Sequence, residues 1–414
     1  LISMAPKNRI LWVTLRHPPL GGGMAVSSGR LVENLRTREV DLDVAAFVGP
    51  SPRFGVQTVF RDHGLDFLIS RPTRQARPGL TAQGAYRLIE AEHRRQPYTR
   101  IVGFGAGLAG YLAVIYAAWL GCPALVLVRG NDLDEDLFDP GRGYWVRESL
   151  GRAAMIGAVS PDMVRRIKAL FPGKEAVFLA NGIKADDWRL LPEDRNLSLD
   201  IRRQIAAVCP EPNHARVVFG LFGELKYKKG IAFWLGALRE AGLNHRLALL
   251  IVGRRLDEAT SQILDDPVLA PPSLHLPFVT RDRLAGCYAA CDFVALPSIF
   301  EGLPNTLLEA MATGVPALTS DAGAMAEVVR DGDTGFVFPA GDRDKAAAAT
   351  HRALSLTPHE RLAMGQRSRE FVTRHFSVEH ETDQVWELLR GLTPDRISTP
   401  LPMDLPPSWI SGNY

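Results

Sequence analysis

The sequence predicts an α/β protein made of two successive doubly wound, Rossmann-like units. Three observations lead there. Strand-like and helix-like segments alternate along the chain, each half opens on an apolar strand that runs into a glycine-rich turn, and a polar, proline-bounded stretch at about residues 192–212 interrupts the alternation. A chain of 414 residues with 46% apolar content can bury a core in each unit.

In the first half, the apolar runs at 10–14, 44–47, 101–103, 124–128, 158–159 and 176–179 read as strands buried on both faces. The run 9–15 is too short for a secretory leader and lacks a small-residue cleavage site, so it reads as the first strand. The uncharged span 107–128 has the length of a membrane helix, but Gly121-Cys-Pro123 divides it into a helix and a strand. No transmembrane segment is predicted. Within the central break, 199–208 reads as a helix. Strands resume at 217–222, 247–252, 274–276, 293–296, 316–319 and 335–338. The expected organisation is a first unit at 1–195, a second at 196–378, a final helix at 379–392 that packs back on the first unit, and a tail at 393–414 carrying five prolines.

Charge excludes little and favours little. The net charge is +2, with +6 before residue 195 and −4 beyond it, too small an asymmetry to argue for nucleic acid. Arg165-Arg-Ile-Lys168 and the arginines from Arg71 to Arg77 leave peripheral contact with an anionic membrane as an alternative to a solvated surface. Four scattered cysteines make no disulfide framework and suit a reducing cytoplasm; Cys287 and Cys291 share a helix face and read as core residues. The ten histidines show no metal-ligand spacing.

The most informative stretch is Ser298-Ile-Phe-Glu301-Gly-Leu-Pro-Asn-Thr-Leu-Leu-Glu309-Ala-Met-Ala-Thr-Gly314-Val-Pro316. A short strand precedes it, and a helix from about Thr306 stops at Gly314 with Pro316 beyond. Glu301 therefore lies in a loop at the carboxyl end of a strand and Glu309 inside the following helix. Ligands of open α/β sheets collect at that edge, and unpaired first-turn amides attract an anion. One carboxylate can take two sugar hydroxyls and the other a ribose, with a diphosphate against the amides between them.

Two glycine loops face the same way. Gly223-Glu224-Leu-Lys226-Tyr-Lys228-Lys229-Gly230 follows the first strand of the second half, bringing backbone amides and three lysines to a strand end. Near the amino terminus, His17, Gly21, Gly22, Gly23, Ser27 and Arg30 follow a strand and open a helix, where they could approach an acceptor or a phosphate. A ligand-free loop explains them equally well. Gly103-Phe-Gly105-Ala-Gly107-Leu-Ala-Gly110 imitates a dinucleotide fingerprint, with Arg129 where a ribose phosphate would be read, so an NADP-dependent oxidoreductase is the competing class. Tight helix-to-sheet packing accounts for the same glycines.

On Gly223 to Gly230 and Pro297 to Pro316, together with Leu250-Ile-Val-Gly253, Asn181-Gly-Ile183 followed by Trp188, and Glu327-Val-Val-Arg-Asp-Gly-Asp-Thr-Gly335, the chain resembles the retaining GT-B glycosyltransferases of the family-4 type. The match is best over about 160–340. The resemblance implies two Rossmann-like domains facing each other across a cleft. The second holds a UDP- or GDP-sugar, the first a sugar, glycolipid or small-molecule acceptor. It implies transfer of a hexose with retention, no cofactor and no metal. Glu301 would hold donor-sugar hydroxyls, Glu309 the ribose and Lys229 the diphosphate. Gly302 and the amides of Leu303, Asn305, Thr306 and Leu307 would face sugar and phosphate, and Phe278 and Val279 would border the base. Pro304 has no N–H to give.

Two departures stand out. Glu224 replaces an arginine common in the family, leaving Lys226, Lys228 or Arg254 to compensate. The first-domain position that often holds a histidine reads Arg129-Gly-Asn131-Asp132, so Asn131 or Asp132 would orient the sugar or acceptor. The acidic run 132–136 reads as a solvated loop rather than a metal site. A sugar-nucleotide-binding protein without turnover is the non-enzymatic alternative.

Overall fold

A computed structural model describes residues 8–18, 20, 22–51, 55–72, 78–209, 216–266 and 270–393. The opening apolar run forms β1 (Arg9–Thr14), whose six side chains are all buried, as expected for a strand covered by helices on both faces. Around it lie β2 (Asp41–Ser51), β3 (Gly55–Arg61), β4 (Gly64–Pro72), β5 (Arg100–Phe104), β6 (Ala124–Val128), β7 (Met155–Ala158) and β8 (Ala176–Phe178). The sheet order is β3-β4-β2-β1-β5-β6-β7-β8, and every pairing is parallel except β3 with β4.

The β3–β4 pair is absent from the sequence reading. It is an edge hairpin whose outer strand shows mixed exposure and carries Gln57, Thr58 and Arg61, so it lacks the apolar run that marks the inner strands. The strand expected at 158–159 lies at Met155–Ala158.

The second sheet contains β9 (Val217–Phe222), β10 (Leu247–Val252), β11 (Ser273–Leu276), β12 (Phe293–Leu296), β13 (Ala317–Ser320) and β14 (Gly335–Phe338). Its order, β11-β10-β9-β12-β13-β14, is parallel throughout. The chain winds one way from β9 to β11 and the other way from β12 to β14. The loops leaving β9 and β12 therefore part at neighbouring strand ends and leave a crevice there.

The central break is one helix, Pro192–Val208, capped by Asp194, so residue 195 falls inside a helix rather than between units. That helix packs on the second unit, where the Leu197 side chain and the Asp194 backbone close over Gly286. The last helix, Val378–Gly391, returns to the first unit: Val385, Leu389 and Leu392 join Ile10, Trp12, Leu31 and Leu35 in one core. The chain thus crosses between the units twice, at 180–183 and 376–378. The crossings are stitched together by Ile183 N–H to Phe376 O at 2.7 Å. The proline-bearing tail beyond 393 lies outside the described residues. Among those residues no helix is long and apolar enough to cross a membrane; Leu108–Leu120 ends at Gly121 in the left-handed region.

Candidate active site

The crevice at β9 and β12 is where the charged motifs meet. Lys229 ends the turn after β9, Glu301 sits in the loop after β12, and Lys229 Nζ donates to Glu301 Oε1 at 2.8 Å, with both side chains largely buried. Gly230 makes this approach feasible. Its φ of +64° is left-handed, and an added Cβ would lie 2.0 Å from the Pro297 carbonyl. The amide of Ile299 completes the junction by donating to Lys228 O at 2.8 Å.

The helix after Glu301 is Asn305–Thr313, with Pro304 as its N-cap and Gly314 as its left-handed stop. Its first amides have no acceptor within the helix. Leu307 is the exception among the residues expected to face a ligand: its N–H bonds the Pro304 carbonyl and its side chain is fully buried. Thr306 Oγ1 and Asn305 Oδ1 are buried and without a hydrogen-bond partner, while Asn305 Nδ2 reaches Ser27 Oγ of the first unit at 3.3 Å.

Glu309 lies one turn deeper, 7% exposed. Tyr288 donates its hydroxyl to Oε2 at 2.9 Å, and Arg281 stands 3.4 Å from Oε1. Burial raises the Glu309 carboxyl above its ordinary value, against the pull of Arg281, Tyr288 and Arg30.

The first unit closes on this loop at very short range. A Cβ on Gly302 would meet Val159 at 2.8 Å and the Gly130 Cα at 3.1 Å, so only glycine fits where the two units touch. Asn181 Nδ2 donates to the Leu303 carbonyl at 2.7 Å, and Arg129 donates to Asn181 Oδ1 at 2.7 Å. Lys228 crosses the cleft to Asn131 Oδ1 and stands 3.6 Å from Glu135.

Several residues expected to touch ligand have other work. Arg129 is buried against the Phe104 ring, 4.3 Å from its centroid, and bonded to Asn181. Burial lowers it to about 10, so it stays charged at neutral pH without opening to a ligand. Arg30 donates to Glu381 of the last helix at 2.7 Å, and the same Glu381 oxygen takes the Gly182 N–H at 2.9 Å. His17 is buried with its Nδ1 lacking a hydrogen-bond partner, and its loop runs along the first helix, where Pro18 fills the space over Gly29. Burial lowers its imidazole, and the charges that act on it are those of Asp66, Arg36 and Arg61.

Asp132 is not a solvated loop residue. Its Oδ2 accepts from the amides of Ala106 at 3.0 Å and Arg129 at 2.6 Å, tying the turns after β5 and β6 together. Burial raises it to about 6. Asp134 pairs with Arg166 at 2.9 Å and Asp136 with Arg142 at 2.7 Å, so the acidic run has separate basic partners. Gly22 and Gly23 begin the first helix, with Gly23 facing Asn305; Gly21 lies outside the described residues.

The departure at Glu224 has a structural counterpart. Its carboxylate bridges Lys226 at 2.9 Å and Arg254, and those partners hold it below its ordinary value, Lys226 first. Gly223 leads into this turn with open space above its Cα. Phe278 is 80% exposed beside half-buried Val279 at the outer end of the crevice.

Three contributors carry no role in the sequence reading. Tyr288, Arg281 and Glu381 come from a short helix, a 3-10 turn and the last helix, and only folding brings them to Glu309 and Arg30. Tyr288 lies among apolar residues that read simply as core.

The dinucleotide reading loses its support. A Cβ on Gly103 would meet the Gly110 Cα at 2.7 Å and one on Gly110 the Gly105 carbonyl at 2.6 Å, so these glycines serve helix-to-sheet packing. Arg129, the supposed ribose-phosphate reader, is occupied internally.

Two facing parallel α/β units with charged loops at the crevice define the GT-B class. Among solved structures, sucrose-phosphate synthase from Thermosynechococcus elongatus matches 92% of this chain and 98% of its own with a TM-score of 0.72 at 17% identity. Anabaena HepE in complex with UDP-glucose matches 93% and 100% with a TM-score of 0.70 at 19% identity. Residues 216–355 match the family described as glycosyl transferases group 1. A GDP-mannose-dependent alpha-(1-6)-phosphatidylinositol monomannoside mannosyltransferase of Mycobacterium tuberculosis is 25% identical over 93% of this chain and 98% of its own. An uncharacterized glycosyltransferase of Methanocaldococcus jannaschii is 24% identical over 84% and 89%. Over the second unit, which carries Lys229, Glu301 and Glu309, the chain is similar to the glycosyl transferases of group 1.

Proposed function

We propose that this protein transfers a hexose from a UDP- or GDP-sugar to a hydroxyl of a sugar, glycolipid or small-molecule acceptor, with retention and without a metal. The observation that carries this reading is the junction of Lys229, Glu301 and the first turn of Asn305–Thr313 at one crevice, with Glu309 one turn below. A diphosphate placed there meets an ammonium group and unpaired amides, which stabilise the charge that develops as the nucleotide departs. Lys229 then has two partners to serve, and a bound phosphate would draw it from Glu301, freeing that carboxylate for donor hydroxyls. The leaving phosphate can take the acceptor proton on the same face of the sugar, so no protein nucleophile is assigned. The ammonium groups do what a divalent cation does elsewhere.

The mycobacterial mannosyltransferase uses GDP-mannose, and the Anabaena protein binds UDP-glucose. Those two names bracket the donor choice. The phosphatidylinositol monomannoside named for the former gives the glycolipid acceptor a precedent. A panel of nucleotide sugars scored for hydrolysis and transfer, with and without EDTA, tests the proposal. Turnover of one UDP- or GDP-hexose, unchanged by EDTA, is expected. Nucleotide binding with no turnover of any donor would favour the binding-protein reading, which the Glu224 bridge to Lys226 and Arg254 keeps in view.

A further inference from the structure

Glu309 can accept two neighbouring ribose hydroxyls only if its carboxylate plane is held, because a bidentate contact needs both oxygens in place at once. The helix backbone does not fix that plane. The environment does: Tyr288 donates to Oε2 at 2.9 Å, which leaves Oε1 turned toward the half-exposed Arg281. A carboxylate has about four acceptor directions, so one phenol leaves capacity for a diol.

The phenol is itself immobilised. Tyr288 is fully buried, its ring stacked on Phe222 with centroids 4.1 Å apart and set edge-on to Trp188 at 5.7 Å. Phe222 is the last residue of β9, next to the phosphate-facing turn, and Trp188 belongs to the linker and also carries the Arg281 guanidinium at 5.2 Å. Arg281 cannot do the same task, since its side chain is half exposed and its contact with Oε1 is long at 3.4 Å.

We propose that Tyr288 is a positioning residue that orients Glu309 toward the ribose diol of the donor. This rests on the reading of Glu309 as the ribose carboxylate. Burial raises the Glu309 carboxyl, and the charged or titratable groups facing it are Arg281, Tyr288 and Arg30, all of which act to keep it ionised. Burial and the neighbouring carboxylate raise the Tyr288 phenol well above its ordinary value, so it remains a donor through the working range.

The test is Tyr288→Phe, which removes one oxygen and keeps the ring. Calorimetry would compare a nucleoside diphosphate with its 2′,3′-dideoxy analogue across about pH 5 to 8. The intact protein is expected to prefer the ribose form, Glu309→Gln to lose that preference, and Tyr288→Phe to lose about tenfold of it. Without the phenol the carboxyl rises further, so affinity in Tyr288→Phe should begin to fall at a higher pH than in the parent. A purely structural tyrosine would lower thermal stability and move neither the ratio nor the pH midpoint. Should Tyr288→Phe not fold, Phe222→Leu loosens the clamp while keeping the hydroxyl, and a reduced ratio is again expected. If Glu309→Gln retains the preference, the ribose assignment fails. If Glu309→Gln loses it while the folded Tyr288 or Phe222 variant keeps it, the positioning role is overturned.

Discussion

Asn181 donates its side-chain amide to the carbonyl of Leu303 at 2.7 Å, a hydrogen bond that joins the end of the first unit to the donor loop of the second. Arg129 takes the other side of the same amide, so the direction of Asn181 is fixed. Replacing Asn181 with alanine leaves a buried carbonyl and a buried guanidinium N–H without partners, each worth about 1–3 kcal/mol. The loop between Glu301 and Asn305 then loses its register against the first unit. Transfer is expected to fall at least about tenfold while free nucleotide binds within about threefold of the parent. Steady-state rates beside a nucleotide titration decide it; equal losses in both would contradict the register argument.

The Lys229–Glu301 pair separates two functions across one 2.8 Å contact. Lys229→Ala removes the ammonium that meets Glu301 ahead of the helix, so discrimination between nucleoside diphosphate and monophosphate should drop by about tenfold or more. Glu301→Ala leaves that cation unpaired. Free nucleotide should then bind as well as before or better, whereas selectivity among donor sugars and turnover should suffer. Competition titrations with both nucleotides and a donor panel distinguish the variants, and identical profiles would break the assignment.

Much of this site is legible in the chain because it depends on local geometry. Glu301, Lys229 and Glu309 each sit at a strand end or a helix turn that apolar runs and glycine stops mark directly, and neighbouring strand ends then bring them together. The surroundings of Arg30 and Arg129 are less legible for the opposite reason. Their local context is a glycine loop or a strand end, but their partners, Glu381 and Asn181, lie far along the chain and are chosen by packing. The β3–β4 hairpin went unread because an edge strand need not be apolar. Tyr288 looks like any core tyrosine until its hydroxyl is seen on Glu309.

Glu224 sits between Lys226 and Arg254 at the rim, where both are substantially exposed. It neutralises cations that could otherwise face the diphosphate. Glu224→Gln should therefore strengthen nucleotide binding several-fold at low ionic strength, and the gain should shrink as salt is added, because exposed charges are screened over about 10 Å at 0.1 M. Titrations at two salt concentrations check this. A weaker complex in the variant would show instead that Glu224 holds Arg254 in a binding position.

Asp132 gives the clearest pH signature. Its carboxyl, raised by burial to about 6 from 3.8, binds a proton in the folded protein at pH values where the unfolded chain has released it. Stability contributed by this group is therefore highest below about pH 4, declines between about pH 4 and 6, and stays low above, a change of up to about 3 kcal/mol. In Asp132→Asn the new side chain is uncharged in both states, and its oxygen can still accept from Ala106 and Arg129. The substitution should thus remove this slope and unfold at higher urea than the parent near pH 8, with little difference near pH 4. If capping is the residue's task, transfer by the variant should stay within a few-fold of the parent. Loss of transfer by two orders of magnitude in a stable, nucleotide-binding variant would mean that the remaining carboxylate oxygen of Asp132, Oδ1, acts on the sugar or the acceptor.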